Sequence, residues 1–268
     1  MNELKMVSVV IPMYNSEDSI IDVLKGVVNQ TEARRVSQIV VVNDGSTDNS
    51  ERIVEEFKRT SPLYVSLLNV PNSGVSSARN IGVLNSETSY WIAFCDSDDI
   101  WLPNKLERLF EILDSHSDID CIGSAFSDKP LRVGAKIIKT LHKASVKDIL
   151  LTNFPQPSTV LIKKTVFDMV GGFDEKQRYA EDGNFFLRVA ANYNLYYLPE
   201  KLIIYGYGKR GFGEKGLSAN LKGMYEGNVK NLRDIHSLGY ISYSFYYQMR
   251  FFYWLKYIRR LILTTKKC

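Results

Sequence analysis

The feature that most constrains this chain is a series of short, largely apolar runs alternating with segments of helical period. VSVVI at 7–11, QIVVVN at 38–43, YVSLL at 64–68 and YWIAFC at 90–95 lack the in-out alternation of a half-solvated strand. Runs of this kind are strands buried on both faces, which requires an open, mostly parallel sheet covered by helices on each side. The segments between them supply those helices. Ile20, Leu24, Val27 and Val28 share a helical face behind a Ser16 cap, and Asp48 with Glu51 has capping-box spacing ahead of Ile53, Val54 and Phe57. Further helices are expected near 75–86 and from Pro103 to about Asp114. Beyond residue 116 the pattern loosens, with strands expected at 120–124, 159–162 and 202–207 and a helix at 181–194. These read as a second half built on the same sheet. The expected organisation is therefore α/β: a first half over 1–115, a second half over 116–216, and a helical tail over 217–268.

With 268 residues, 45% of them apolar, the chain can bury the core of one large domain or two intimate ones. Its three cysteines, Cys95, Cys121 and Cys268, are odd in number and far apart, which suits a reducing compartment better than a disulfide framework. The first apolar run is short, contains Pro12 and ends in YNSED, so it reads as a strand rather than a signal peptide. No stretch approaches the roughly 20 apolar residues of a spanning helix. A cytoplasmic protein is the expectation from these features.

Ligands on open α/β sheets lie beyond the carboxyl ends of the strands, so the loops after residues 11, 43 and 95 carry the chemistry. They read Pro12-Met13-Tyr14-Asn15 with Glu17, Asn43-Asp44-Gly45-Ser46, and Asp96-Ser97-Asp98-Asp99. Carboxylates crowded after a buried strand repel one another and resist desolvation, so a hard divalent cation that also binds phosphate oxygens is a sensible resident. An acidic cap for the helix after Pro103 would explain the same residues. Asp44 suits hydrogen bonds to a base or ribose, although Asx turn chemistry would also account for it. Gly171-Gly172-Phe173-Asp174-Glu175 and then Ala180-Glu181-Asp182-Gly183 bring more carboxylates to the start of a periodic helix. Gly206 to Gly211 matches a dinucleotide fingerprint formally, but the glycine-rich continuation to Gly216 opens no helix, so the segment reads as a flexible cationic loop instead. Walker A, zinc-ligand and Gly-x-Ser-x-Gly patterns are absent.

Taken together, five segments resemble the inverting, GT-A-fold nucleotide-sugar glycosyltransferases of family 2. They are VSVVIPMYNSE at 7–17, VVNDGSTDNS at 41–50, NSGVSSARNIG at 72–82, FCDSDD at 94–99, and VGGFDE with AEDGNFFLRVA at 170–191. The resemblance implies transfer of a sugar from a nucleoside diphosphate, usually UDP, to a hydroxyl of a saccharide or lipid-linked saccharide, with inversion. It implies that Pro12, Tyr14, Glu17 and Asp44 bound the nucleoside, that Arg79 lies near the donor, and that Asp96 and Asp98 form a DxD element for Mg2+ or Mn2+. Asp182 would be the catalytic base. Asn43 departs from the first Asp of many relatives. The Gln-x-x-Arg-Trp signature of processive synthases is missing, so a single-addition enzyme in cell-surface glycan assembly is expected. A catalytically inactive scaffold of the same fold and a nucleotidyltransferase are the alternatives. The first should have lost the carboxylates, and the second should carry a Gly-rich basic loop after the first strand, where Pro-Met-Tyr-Asn stands.

The tail has its own signature. The net charge of the chain is only +4, yet Arg250, Lys256, Arg259, Arg260, Lys266 and Lys267 follow Asp234 with no acidic residue among or after them, leaving −2 on the rest. Tyr247, Phe251, Trp254, Ile258 and Leu261 recur at helical spacing, with basic residues on the other half of the wheel. Such a stripe packs against its own domain or a partner helix in many proteins. The aromatics and the unopposed charge suit an in-plane helix on an anionic membrane surface, through residues 243–267, on the cytoplasmic face of the inner membrane. Nucleic acid is not an expected partner.

Overall fold

The computed structural model describes residues 6–86, 89–208 and 217–265. Its strands are β1 (Val7–Met13), β2 (Val36–Asp44), β3 (Val65–Val70), β4 (Trp91–Phe94), β5 (Ile100–Trp101), β6 (Cys121–Ala125), β7 (Arg132–Val133), β8 (Lys136–Ile137), β9 (His142–Lys143), β10 (Leu161–Lys163), β11 (Leu195–Lys201) and β12 (Ile203–Ile204). Its helices are α1 (Ile20–Val28), α2 (Ser50–Lys58), α3 (Val75–Leu84), α4 (Lys105–Ser115), α5 (Val146–Leu151), α6 (Lys164–Val170), α7 (Glu181–Asn192), α8 (Leu221–Ser237) and α9 (Tyr243–Thr265). The main sheet runs β3-β2-β1-β4-β10-β6-β11-β9. Its first four strands are parallel, as are β6 and β11, whereas β10 lies antiparallel to both β4 and β6, and β9 is antiparallel to β11. The two halves thus share one mixed, mostly parallel sheet, and β10 is the seam.

Every residue of β1 is buried, and alternate side chains feed opposite cores. Val9 and Ile11 pack with Ile20, Leu24, Ile39 and Leu106 on one face, whereas Val10 packs with Ile92, Phe94, Phe167 and Phe185 on the other. This is the strand period of two, with helices covering both sides. The close approach of α3 needs Gly82, where an added Cβ would lie 2.3 Å from Val10 Cγ1.

Helix starts differ from the sequence expectation. Ser16 does not cap α1 with its side chain: its hydroxyl donates to the Tyr14 carbonyl and meets Ser97 Oγ at 2.7 Å, and the helix begins only at Ile20. Nor does the Asp48/Glu51 capping box form. Asp48 Oδ1 accepts the Ser50 amide and hydroxyl at the start of α2 and its Oδ2 accepts the Glu17 amide, but Glu51, the other half of the box, accepts from Asn69 instead. The late strand expected at 202–207 shrinks to β12, which pairs with β5, and the main-sheet strand is β11 just before it.

The tail forms α8 and α9. Helix α9 buries Met249 and Tyr253 against the second half, and Tyr253 Oη donates to the Leu150 carbonyl at 2.8 Å. The aromatic stripe faces outward instead of onto the domain: Tyr247 is 66% exposed, Phe251 61% and Trp254 46%. Lys256 lies on the inward side, where burial and then the neighbouring Arg260 push its pKa down to about 8. No helix among the described residues is long and apolar enough to cross a membrane.

Candidate active site

The polar loops meet at one sheet edge, beyond the carboxyl ends of β1, β2 and β4. Buried Pro12 is the penultimate residue of β1, Tyr14 follows the strand at the rim with 52% exposure, and Glu17 accepts both the backbone amide and the side-chain amide of Asn49 at 2.9 and 2.8 Å. Asp44 closes β2. Its Oδ1 accepts the Ser73 amide at 2.7 Å and its Oδ2 accepts the Gly74 amide at 2.9 Å. Both oxygens therefore pin the loop that starts α3, a structural duty that the sequence expectation of a nucleoside contact did not include. Asn43 donates to Asn69 and accepts the Ser46 amide, which holds the same turn.

Arg79 is the hub. It projects from α3 with 3% exposure, donates from Nη2 to Asp96 Oδ1 at 2.7 Å and from Nη1 to Glu181 Oε1 at 3.2 Å, and lies 5.0 Å over the Phe173 ring. Burial works against its charge, but Asp96 and Glu181 outweigh burial and keep the guanidinium protonated. Its Nε is buried with no hydrogen-bond partner. One cation thus ties the loop after β4, in the first half, to the N-terminus of α7, in the second. The family resemblance implies a place near the donor for Arg79 but carries no sign of this bridge, because its two partners lie 17 and 102 residues away.

Around that cation the carboxylates outnumber the positive charge. Glu181 is pushed up to about 7 by burial and by Asp182, with Arg79 pulling the other way. Asp182 is raised chiefly by burial, against the hydrogen bonds and the Arg79 charge that favour its ionised form. Its Oδ2 accepts from Asn153 Nδ2 at 3.4 Å and its Oδ1 from the Gly183 amide at 2.7 Å. Asp99 is 1% exposed, accepts the Gly206 amide at 2.6 Å, and is pushed up to about 8 by burial and by Asp96. Asp99 therefore serves the fold, holding the segment after β12. Asp96, Asp98, Asp99 and Asp182 all act on the Tyr205 phenol, so they share one field.

For a divalent cation the donor set is suitable but sparse. Among the described residues no three His, Cys, Asp or Glu side chains converge as a ready cage. Asp96 spends one oxygen on Arg79, and its other oxygen and the Asp98 carboxylate two residues on are the groups of this loop that would hold the ion. Magnesium-like ions are commonly held by one or two carboxylates with phosphate and water oxygens completing the shell, and these residues fit that pattern.

Three groups escaped sequence reasoning. Asn153 reaches Asp182 from the loop after α5, and Asn231 on α8 reaches the backbone before α7. Lys105 is fully buried, has no hydrogen-bond partner for Nζ, and sits 3.8 Å over the Trp101 ring. Burial pushes it down to about 7. The cationic loop expected over 206–216 lies mostly outside the described residues, and no role is assigned to it.

The model of the family described as Glycosyl transferase family 2 matches residues 8–167. The minor teichoic acid biosynthesis protein GgaA of Bacillus subtilis (strain 168) is 30% identical over 190 residues, covering 68% of this chain and 42% of GgaA. An uncharacterized glycosyltransferase of Haemophilus influenzae is 27% identical over 188 residues, covering 69% of this chain and 62% of that protein. The chain therefore spans only part of the length of these relatives. Among solved structures, S. aureus TarS 1-349 in complex with UDP-GlcNAc superposes with a TM-score of 0.69 at 21% identity, covering 91% of this chain and 70% of that one. The mannosyltransferase PcManGT from Pyrobaculum calidifontis, in complex with GDP-Man and Mn2+, gives 0.68 at 19% identity, covering 88% and 65%. At such identities the structural likeness speaks for the fold, and with the family match over more than half its length the chain belongs to glycosyl transferase family 2 and has the GT-A fold.

Proposed function

We propose that this chain transfers a sugar from a nucleoside diphosphate, of the UDP class, to an acceptor hydroxyl with inversion at the anomeric carbon. The observation that carries the reading is the Arg79 bridge, which joins Asp96 of the DxD loop to the Glu181-Asp182 pair at one sheet edge. UDP-GlcNAc in a structural neighbour, and teichoic acid biosynthesis in the name of a relative, support a nucleotide-sugar donor and a cell-surface glycan acceptor.

In this reading Pro12, Tyr14, Glu17 and Asp44 bound the nucleoside, with Asp44 acting through the loop it pins. Asp182 takes the proton of the acceptor hydroxyl while that oxygen bonds to the anomeric carbon and the bond to the diphosphate breaks, its electron pair leaving with the diphosphate. Burial suits Asp182 to the role, because a carboxylate raised above its ordinary range is a stronger base near neutral pH. Arg79 lends positive charge beside the departing diphosphate, in a site whose dipoles are already fixed. Mg2+ or Mn2+, when bound at Asp98 and Asp96, would supply Lewis-acid stabilisation of that developing charge. The outward aromatic stripe of α9, with Arg250 and Arg259 on the same helix, supports a second element of the reading: residues 243–267 rest on an anionic membrane surface, on its cytoplasmic side, next to a lipid-linked acceptor.

The test is nucleoside diphosphate release with Mn2+ and a panel of nucleotide sugars, wild type against Asp182→Asn. The variant should bind UDP normally and lose at least about 100-fold in turnover. Retention of more than about a tenth of the wild-type rate would remove Asp182 from the role of base.

A further inference from the structure

Two residues other than glycine adopt left-handed backbone among the described residues, and both flank the active edge: Asn15, with φ 48°, and Ala180, with φ 54°. Asn tolerates this region through its short amide, whereas an alanine has no local compensation and must be held there from outside. Ala180 is the residue immediately before Glu181 and Asp182, and it begins α7 without any side-chain cap.

What holds it comes from α8. Asn231, 3% exposed, donates from Nδ2 to the Ala180 carbonyl at 2.8 Å. Its Oδ1 accepts Gln177 Nε2 at 2.7 Å and Asn184 Nδ2 at 3.3 Å, and Gln177 itself lies within 3.1 Å of the same Ala180 carbonyl. Lys230 donates to Gln177 Oε1 at 2.8 Å and completes the grip. The helix can come this close because Gly227 faces the strained segment: an added Cβ would lie 2.2 Å from the Tyr179 carbonyl oxygen. Asparagine and glycine here serve no core of their own. Their partners are the backbone and amides that frame the acid pair.

We infer that Asn231 is a positioning residue for Asp182: with Gln177 it clamps the left-handed turn at Ala180 and so fixes the direction in which the Glu181-Asp182 pair leaves α7. The inference rests on the reading of Asp182 as base. It makes α8, which lies outside the residues matched by the family model, part of the catalytic apparatus. A displacement of about 1 Å at a reacting group can cost on the order of 10²-fold in rate, so loss of the clamp should be visible in turnover with the nucleotide site untouched.

The experiment uses the full chain and compares Asn231→Ala, Gln177→Ala and the double variant Asn231→Ala/Ala180→Gly. UDP with Mn2+ probes binding by calorimetry, UDP release from UDP-GlcNAc probes turnover, and amide exchange of 178–186 reports the clamp whichever sugar is used. Asn231→Ala should bind UDP within about twofold of wild type, exchange at least about tenfold faster across 178–186 only, and turn over at least about tenfold more slowly. Ala180→Gly in that background should recover at least about threefold of the loss, because glycine adopts the left-handed turn without cost; a residue needed merely for packing would gain nothing from it. Gln177→Ala, which removes the second donor and leaves the α8 sequence unchanged although it loses the bonds to Asn231 and Lys230, should move in the same direction and serves if Asn231→Ala does not fold. Wild-type exchange in both single variants, or faster exchange spread over β1 and β4 as well, overturns the clamp. An inactive Asp182→Asn beside a fully active Asn231→Ala also overturns it while leaving the base in place, whereas an active Asp182→Asn removes the base reading itself.

Discussion

Replacing Arg79 by Met keeps the length and the apolar stem but removes the buried charge that serves Asp96 and Glu181 at once. Side-chain exposure is 4% for Arg79, 10% for Glu181 and 29% for Asp96. Asp96 can regain some water, so the larger penalty falls on Glu181. Removing one partner of a buried pair costs about 3–5 kcal/mol, because the other charge stays behind uncompensated. The cost depends on pH in a definite direction. Glu181 already binds its proton more tightly in the folded protein, at about 7, than in an unfolded chain, at about 4.5. A group with a raised folded pKa contributes stability that is present below its unfolded value and lost as pH rises through its folded value. Without Arg79 that folded value moves above 7, so the loss extends further upward. Denaturant unfolding of Arg79→Met between pH 5 and 8 should show a deficit of about 3–5 kcal/mol at pH 8 that shrinks toward pH 5 by at most about 1.4 kcal/mol per pH unit. Adding Glu181→Gln should recover most of the remainder. A deficit that is flat across this range, or smaller than about 1 kcal/mol at pH 8, would refute the account of Arg79 as the shared counter-ion.

Asp98→Ala should weaken UDP affinity at least about tenfold in Mn2+ and little in EDTA by calorimetry, and equal loss in both would point away from a metal ligand. Lys105→Met should stabilise the protein at pH 7 by about 1–3 kcal/mol, net of the lost contact with Trp101. Lys105 binds its proton less tightly when folded, so wild-type stability should rise with pH from about 7 toward the unfolded value of 10.5, and the variant should lack that rise; a less stable variant would contradict this. Phe251→Ser/Trp254→Ser, which leaves Met249 and Tyr253 in the core, should sediment less with phosphatidylglycerol vesicles at low salt than wild type does, and equal binding by both would remove the membrane reading.

Periodicity carried the first half of the fold because β1, β2 and β4 are apolar on both faces, and no other arrangement hides such strands. It failed on β11, where buried Leu195, Tyr197 and Leu198 are broken by part-exposed Tyr196 and followed by Pro199, Glu200 and Lys201 in succession, so neither an unbroken apolar run nor a period of two marks the strand. It failed also on helix starts, since the Ser16 hydroxyl finds Tyr14 and Ser97, and Glu51 accepts from Asn69 instead of closing a box with Asp48. For the site, the DxD loop and the Glu181-Asp182 pair were legible as acidic clusters at element ends. The bonds that govern them were not. Arg79 to Glu181, Asn153 to Asp182 and Asn231 to Ala180 span 29 to 102 residues, and asparagine in a helix carries no mark of what it will reach.

The antiparallel seam also bears on how the chain is made. Strand β4 ends at Phe94, but the strand that covers its open edge begins only at Leu161. At synthesis rates of about 5–20 residues per second, the ribosome needs roughly 3–14 s to supply it. During that interval the four parallel strands can assemble, yet Trp91, Ile92 and Ala93 present an unpaired apolar edge, the kind that recruits foreign strands. The completing contact is distant in sequence and must therefore form late. For this protein, then, yield in a cell should depend on how quickly the stretch from 95 to 163 is translated, and slow codons there should cost soluble protein more than the same codons placed in the tail.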